Sequence, residues 1–400
     1  MKKTPAFFLL LSMFLASCEP LDDPQVYVPV TPLPFYASDT PEPFIIPVTD
    51  TPAFIEPTTA IETPVLMPVD TWWEVHFTDP LTTNDSAIVV DSVQGRLIEF
   101  INDAQTSIHI ASFEFNLTPV AEALIAAKNR GVEVKWMTDD KNGLNYDTQP
   151  GRGQFSLLIG AGIEVRDDAR SALMHNKFWI FDQQIVWTGS TNITVNGVYK
   201  QNNNVLVIRS PQVASIYERE FQEMWSGQFG PRAPSMVNTQ WTILDGTPVQ
   251  VLFSPEDNVM RNLIALVKDA RTSIRFLAFS FTDFPLAQVM IERANAGVDV
   301  KGVFETFGSN SPNSELRTFW CAGLPVRQDG NASFLHHKVI VVDNSIVVTG
   351  SLNFSANADE VNEENVLIVD NAGIAALYLQ EFEKIWSRAQ NVGAGVFTCP

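Results

Sequence analysis

Two short stretches of the chain carry chemically capable side chains at the same internal spacing. His175-Asn176-Lys177 is followed after four residues by Asp182, and His336-His337-Lys338 after four residues by Asp343. Each runs on, again at identical spacing, to a Gly-Ser-x-Asn: Gly189-Ser190-Thr191-Asn192 and Gly350-Ser351-Leu352-Asn353. The intervening Phe178-Trp179-Ile180-Phe181 and Val339-Ile340-Val341-Val342 are apolar and read as strands. In a strand, positions i and i+2 share a face. His175 therefore points with Lys177 and His336 with Lys338, while Asn176 and His337 face the other way. An imidazole that moves protons near neutral pH, held beside an ammonium, suits acid–base or nucleophilic work on an anion.

The aspartates do not join that group. Extended chain puts Asp182 roughly 23 Å from His175, too far to orient its ring. Asp182-Gln183-Gln184 and Asp343-Asn344-Ser345 read as turns, so Asp182 and Asp343 are expected to cap a turn or form a salt bridge. Downstream, Asn362-Glu363-Glu364-Asn365 aligns with Gln201-Asn202-Asn203-Asn204. Glu364 is thus expected to accept a hydrogen bond from a ring nitrogen of His336, with Asn203 as the weaker counterpart on His175. A carboxylate there would hold the tautomer and raise the basicity of the imidazole; an amide would do so less.

The elements that must position these residues are also written twice. Asp103-Ala104-Gln105-Thr106-Ser107-Ile108 returns as Asp269-Ala270-Arg271-Thr272-Ser273-Ile274, and Phe113, Phe115 and Pro119 return as Phe279, Phe281 and Pro285. Gly131-Val132-Glu133-Val134-Lys135 matches Gly297-Val298-Asp299-Val300-Lys301. The first copy then carries extra residues within the Asp139 to Gln154 loop. Such a long repeat suits a duplicated domain rather than a solenoid. In each copy, Leu97, Ile98, Ile101 and Ala104, or Met260, Leu263, Ile264 and Val267, recur at helical spacing. A strand is expected from about Ile108 to Phe115. A helix follows, with Pro119 near its start and Gly131 just past its end, and then a second strand over Val132 to Met137. Strand, helix, strand implies a right-handed crossover and parallel pairing.

Two complete copies of the motif in matching positions of a repeated α/β unit resemble the phospholipase D superfamily, whose signature is a paired His-x-Lys-x(4)-Asp followed by Gly-Ser-x-Asn. The resemblance runs from near Trp72 to near Trp386. It implies two duplicated α-β-α sandwich domains with mixed sheets, packed pseudo-symmetrically with the active site at their interface. It implies one histidine as nucleophile, forming a phosphohistidine, and the other as general acid for the leaving alcohol. Lys177 and Lys338 would neutralise the non-bridging oxygens while Asn192 and Asn353 donate hydrogen bonds, with Ser190 and Ser351 supporting the motif. His175 is the expected nucleophile, although a carboxylate on His336 would favour that ring on basicity. No carboxylate cluster suited to Mg²⁺ or Ca²⁺ stands out, so neither metal nor cofactor is expected. The expected substrate is a glycerophospholipid. The resemblance also admits a metal-independent nuclease-type phosphodiesterase or a cardiolipin-synthase-like phosphatidyl transferase. Intact His and Lys in both copies disfavour a non-enzymatic scaffold.

Composition bounds the partners. The 400 residues are 45% hydrophobic and 18% charged, which excludes a wholly disordered chain. A formal charge of 26 − 46 = −20 disfavours nucleic acid as a partner. Met1-Lys2-Lys3 and the apolar run Ala6 to Leu15 suit a secretory signal, too short to cross a bilayer as a helix. Leu15-Ala16-Ser17-Cys18 resembles a bacterial lipobox, in which Cys18 becomes lipid-modified. Residues 19–71 hold twelve prolines, nine acidic residues and no Lys or Arg, the composition of an extended spacer. The expected organisation is a signal peptide over 1–17, lipidated cysteine and Pro/Thr-rich acidic linker over 18–71, and two domains over 72–245 and 246–400. The protein is expected to be an exported monomer, anchored by lipid to the bacterial cell envelope. Gly160 stands where the second copy has Cys321, so this thiol lies outside the duplicated site. In an exported protein a Cys321–Cys399 disulfide would pin the C-terminal tail. The loops 142–153 and 307–314 are expected to rim the cleft.

Overall fold

Helical spacing in the sequence becomes helix wherever a cap and a buried face coincide. In a computed structural model, the described residues are 71–82, 86, 89, 92–233, 241–393 and 395–399. The expected signal, Cys18 and linker lie outside them. Ser92 accepts a hydrogen bond from the Gly95 amide and opens α1 (Val93–Asp103), which buries Val93, Leu97, Phe100 and Ile101. Then come β2 (Ser107–Ser112), α2 (Thr118–Asn129) with Pro119 in its first turn, and β3 (Glu133–Thr138). The expected strand end at Phe115 is corrected: the strand stops at Ser112, and Phe115 makes only an isolated bridge to Ile193.

The first half is completed by β1 (Trp73–Phe77), α3 (Gln154–Gly160), β4 (Glu164–Asp167), β5 (Lys177–Phe181) and β6 (Ile185–Gly189). α4 (Val195–Tyr199), β7 (Asn204–Arg209) and α5 (Pro211–Trp225) follow. Its seven strands order as β1-β7-β6-β5-β2-β3-β4, with β2, β3 and β4 parallel and the remaining pairs antiparallel.

The second half repeats this plan. It begins with the hairpin β8 (Thr242–Leu244) and β9 (Thr247–Ser254), so its sheet starts just ahead of the expected boundary. Next come α6 (Val259–Lys268), β10 (Ser273–Ala278), α7 (Phe284–Asn295), β11 (Asp299–Phe304), α8 (Leu316–Cys321) and β12 (Val326–Gln328). The chain closes with β13 (Lys338–Val342), β14 (Ile346–Gly350), α9 (Ala356–Glu360), β15 (Glu364–Asp370), α10 (Ala372–Arg388) and β16 (Gln390–Asn391). The order is β16-β12-β11-β10-β13-β14-β15-β9-β8. Both sheets are mixed and each carries helices, the duplicated α/β architecture expected from the repeat.

Among the described residues, three apolar cores hold the two halves together. One lies under α1 and α2 around Phe115, Trp136 and Phe155, and its counterpart lies under α6 and α7 around Phe276, Phe304 and Phe319. The third draws on both halves: Phe178, Tyr217 and Phe221 pack in one cluster with Phe253, Val339, Tyr378 and Phe382. The aromatic ends of α5 and α10 thus serve packing between halves. Cys321 and Cys399 form a disulfide with their Cα atoms 5.5 Å apart, and Phe397 of the pinned tail packs on Trp320.

Asp182 and Asp343 sit where their turn reading put them. Asp182 and Gln183 both have positive φ (52° and 53°), as do Asp343 and Asn344 (52° and 58°), the geometry of a two-residue hairpin. The Asp182 carboxylate accepts from the amides of Gln105, Thr106 and Ser107 and from the Thr106 hydroxyl, at 2.6–3.1 Å. Asp343 does the same to Arg271, Thr272 and Ser273. Burial raises the Asp182 carboxyl, but the amides of Thr106, Gln105 and Ser107 outweigh it and hold it below its ordinary value. Asp182→Ala is expected to cost about 1–3 kcal/mol, read by calorimetry as a Tm lower by about 2–8 °C. Because the folded pKa is depressed, the wild-type advantage is full above the ordinary aspartate pKa and fades as pH falls through the folded value. An unchanged Tm at neutral pH would show that the turn holds without the carboxylate.

Candidate active site

The two His-x-Lys pairs lead into β5 and β13, whose first residues are Lys177 and Lys338, and meet at the junction of the halves. The chain before each strand is stitched to the other half. The His175 amide donates to the Glu363 carbonyl at 2.8 Å, and Met174 and Glu363 form a parallel bridge. Likewise the His336 amide donates to the Asn202 carbonyl at 2.9 Å, beside a bridge between Asn202 and Leu335. This stitching decides which group reaches which ring. His175 Nδ1–H donates to Glu364 Oε2 at 2.7 Å, and His336 Nδ1–H donates to Asn203 Oδ1 at 2.9 Å and to the Ser190 carbonyl at 3.2 Å. The expected pairing of Glu364 with His336 and Asn203 with His175 is therefore corrected. Aligning the repeats placed each brace beside the histidine of its own half, whereas the packing of halves exchanges them.

Each brace is itself held. The Ser190 hydroxyl donates to Asn203 Oδ1 at 2.8 Å, and the Asn203 amide donates to the Gly197 carbonyl at 2.9 Å. Ser351 hydrogen-bonds to Glu364. The glycine before each serine has a physical cause. A Cβ on Gly189 would lie 2.3 Å from the Asn204 carbonyl oxygen and one on Gly350 2.1 Å from that of Asn365, with φ at 147° and 154°. Only glycine lets the chain pass there and deliver the serine to the brace.

The lysines turn back toward their own histidines: Lys177 Nζ donates to the His175 carbonyl and Lys338 Nζ to the His336 carbonyl, each at 2.8 Å. Phe113 lies 4.8 Å from the His175 ring and 5.2 Å from Lys177 Nζ. Phe279 lies 4.7 Å from the His336 ring and 4.5 Å from Lys338 Nζ. These aromatic floors were visible in the sequence only as matched repeat positions. His337 faces away, as its strand parity required; it is fully buried and its Nδ1 accepts from the Asn204 amide at 2.9 Å. Asn192 is buried two residues past the Ser190 carbonyl, and Asn353 occupies the matching place after Ser351. Among the described residues, the carboxamide oxygens of both have no hydrogen-bond partner.

Two imidazoles and two ammonium groups buried together shape one another's charge. Burial pushes His175 down to about 4; Glu364 pulls the other way, and Lys177 and Lys338 reinforce the drop. Burial followed by the charges of Lys338, Lys177 and His175 holds His336 well below the usual histidine range. Lys177 is pushed down by burial to about 8, against the pull of Glu364, Glu114 and Asp139. Burial and then Lys177 push Lys338 well below the usual lysine range. Burial raises Glu364, but His175 and then Lys177 outweigh it and keep the carboxylate ionised. His175 is thereby a neutral imidazole with Nδ1–H fixed on an anion and its Nε2 lone pair free. His336 has an amide on Nδ1 instead. A carboxylate on one ring and an amide on the other make the two imidazoles chemically unequal, the difference that acid–base and nucleophilic work on a shared group requires.

No carboxylate cluster stands out along the sequence, but the fold assembles one. Asp139, Asp140 and Asp168 each offer an oxygen within 4.8 Å of the others. They come together because β3 and β4 are parallel and end side by side, a proximity no local pattern announces. Asp139 and its counterpart Glu305 also serve the site. Asp139 Oδ2 accepts from the Met174 amide at 3.2 Å and Glu305 Oε2 from the Leu335 amide at 2.6 Å, each just ahead of a site histidine. Among the described residues, no helix is long and apolar enough to cross a membrane.

Comparison with known proteins matches both halves to one domain family, described as "Cardiolipin synthase, PLD-like domain", over residues 97–225 and 263–386, more than half of the chain. A mitochondrial cardiolipin hydrolase of Xenopus tropicalis is 34% identical over 130 residues, covering 32% of this chain and 62% of the relative. A phospholipase D of Rickettsia bellii is 31% identical over 139 residues, 35% of this chain and 69% of the relative. The chain thus spans roughly three fifths of the length of the first of these curated relatives. Across both halves the fold is similar to the crystal structure of phosphatidylserine synthase from Haemophilus influenzae, with a TM-score of 0.60 at 13% identity, over 80% of this chain and 87% of that one. With the signature doubled, both halves matched and the two motifs converging on one buried site, the chain belongs to the phospholipase D superfamily and carries two copies of its PLD-like domain.

Proposed function

We propose that the protein is a phospholipase D-type phosphodiesterase that hydrolyses glycerophospholipids through a phosphohistidine on His175. The observation that carries this reading is the crossed bracing of the two rings, a carboxylate on His175 and an amide on His336. The His175 Nε2 lone pair attacks phosphorus, forming an N–P bond as the P–O bond to the headgroup breaks. His336 delivers its Nε2 proton to the departing alkoxide. Water then attacks the phosphohistidine, its proton passes to His336, and the N–P bond breaks to release phosphatidic acid and the free ring. Lys177 and Lys338 neutralise the non-bridging oxygens, and Asn192 and Asn353 supply hydrogen bonds to them. The diester anion matters to the acid as well. Placed between the ammonium groups, it offsets the charges that depress His336 and lets that ring take up the proton it donates.

The relatives named for cardiolipin hydrolysis and phospholipase D activity support a phospholipid as the substrate. Lipidation of Cys18 on an exported chain would keep the domain beside such substrates, the acidic linker acting as a tether. The decisive assay presents vesicles of phosphatidylcholine, phosphatidylethanolamine or cardiolipin, and separately single-stranded DNA. Headgroup or phosphatidylglycerol release from vesicles is expected. Cleavage of DNA alone would replace the reading with a nuclease. Metabolic labelling with palmitate, lost in Cys18→Ser, is the matching test of the anchor.

The pH dependence follows from the site. On a soluble diester, kcat/KM is expected to fall below about pH 4 as His175 protonates and loses its lone pair. It is expected to fall again as pH rises, first as His336 and Lys338, both held well below their ordinary ranges, lose their protons, and then through about 8, where Lys177 loses the charge that the phosphoryl group needs. A profile flat up to the ordinary lysine range would remove Lys177 from that role.

A further inference from the structure

We infer that Asp139, Asp140 and Asp168 form a binding site for a hard divalent cation, Ca²⁺ by its donor set, bracing the segment that leads into His175. The inference goes beyond the phosphodiester chemistry and does not depend on it. The three carboxylates present one oxygen each within 4.8 Å of one another, which fits a coordination sphere of Ca²⁺–O distances of about 2.3–2.6 Å. Asp168 is only 5% exposed. Its Oδ1 accepts from the Asp140 amide at 3.0 Å, whereas its Oδ2 is buried with no hydrogen-bond partner among the described residues. A buried carboxylate oxygen left bare is costly unless something meets it.

The second half supplies an internal control. Glu305 and Asp329 occupy the places of Asp139 and Asp168, and the Thr306 amide donates to Asp329 Oδ1 at 2.9 Å as the Asp140 amide does to Asp168. There the other carboxylate oxygen, Asp329 Oδ2, accepts from the Asn331 amide at 2.9 Å, and the third position is a threonine rather than an acid. That pair is satisfied as a loop cap. The first half keeps the cap, adds a third carboxylate and leaves one oxygen open. Arg170, whose charge reaches Asp168, is already engaged: it pairs with Glu363 and donates to the Val361 carbonyl at 3.0 Å. Because Asp139 Oδ2 also takes the Met174 amide, an ion here ties down the residue before His175.

The test is thermal unfolding and isothermal calorimetry of the full chain, stripped with chelator and titrated with CaCl₂. A binding heat and a Tm rise of about 2–4 °C at millimolar Ca²⁺ are expected. Asp168→Asn should abolish both. Should that variant fail to fold, Asp140→Thr, which copies the second half, must weaken binding at least tenfold while leaving the ion-free Tm unchanged. No heat in the wild-type protein, an equal Tm rise with NaCl at matched ionic strength, or full Ca²⁺ binding by Asp140→Thr would each overturn the inference.

Discussion

His175→Asn is expected to lose both turnover and covalent labelling, with activity down by about 10⁴-fold or more. His336→Asn should behave differently. On a natural phospholipid it should lose about 10²–10⁴-fold, the contribution of a positioned acid. On a p-nitrophenyl diester, whose leaving group departs without a proton, formation of the intermediate should be nearly normal. Its breakdown should not be, because water then lacks the base that His336 provides. A substrate labelled in its phosphatidyl group should therefore trap label on His336→Asn and none on His175→Asn. The asymmetry rests on the bracing: Glu364 keeps the His175 tautomer with Nε2 bare, while Asn203 offers His336 only a neutral acceptor. Label on His175→Asn and none on His336→Asn would reverse the roles. Label on neither would remove the two-step path.

Lys338→Met should separate activity from stability. Burial and the charge of Lys177 both oppose the Lys338 ammonium, so the folded protein holds this charge at a cost. Methionine keeps an unbranched apolar stem of similar reach and removes the ammonium, with its place over the Phe279 ring. Turnover is expected to fall by about 10²–10³-fold, since one donor to the developing charge is lost. The unfolding temperature should stay level or rise. Opposite signs in the two measurements identify a group kept for chemistry against stability. A parallel fall in both would mean that Lys338 holds the structure instead.

The local half of this site was legible in the sequence and the long-range half was not. Strand parity alone put His175 with Lys177 and turned His337 away, because side-chain direction in a strand alternates whatever the rest of the fold does. The distance argument removed Asp182 from the site, and the turn signal found its work. The failure of Cys321 to repeat only set that thiol outside the site; its link to Cys399 was expected on the condition of export, and the two cysteines are bonded. The brace on each ring failed for a physical reason: Glu364 and His175 are 189 residues apart and Asn203 and His336 are 133 apart. Which brace meets which ring is set by how two similar surfaces dock, and an alignment of the repeats carries no information about that. The three aspartates escaped notice for the same reason, since parallel pairing of β3 with β4 joins them. Phe113 and Phe279 were seen as a match but not as a floor, because an aromatic residue in a repeated strand is ordinarily core.

The exchange of braces has an evolutionary consequence. A single PLD-like unit cannot complete its own histidine, so on its own it must work as a twin, each copy lending its brace to the other. In such a twin, the same residue necessarily stands beside both rings. Joining the copies into one gene lifts that constraint, and here position 203 is an amide where position 364 is an acid. Fusion is what lets two ancestrally identical imidazoles take up different trades.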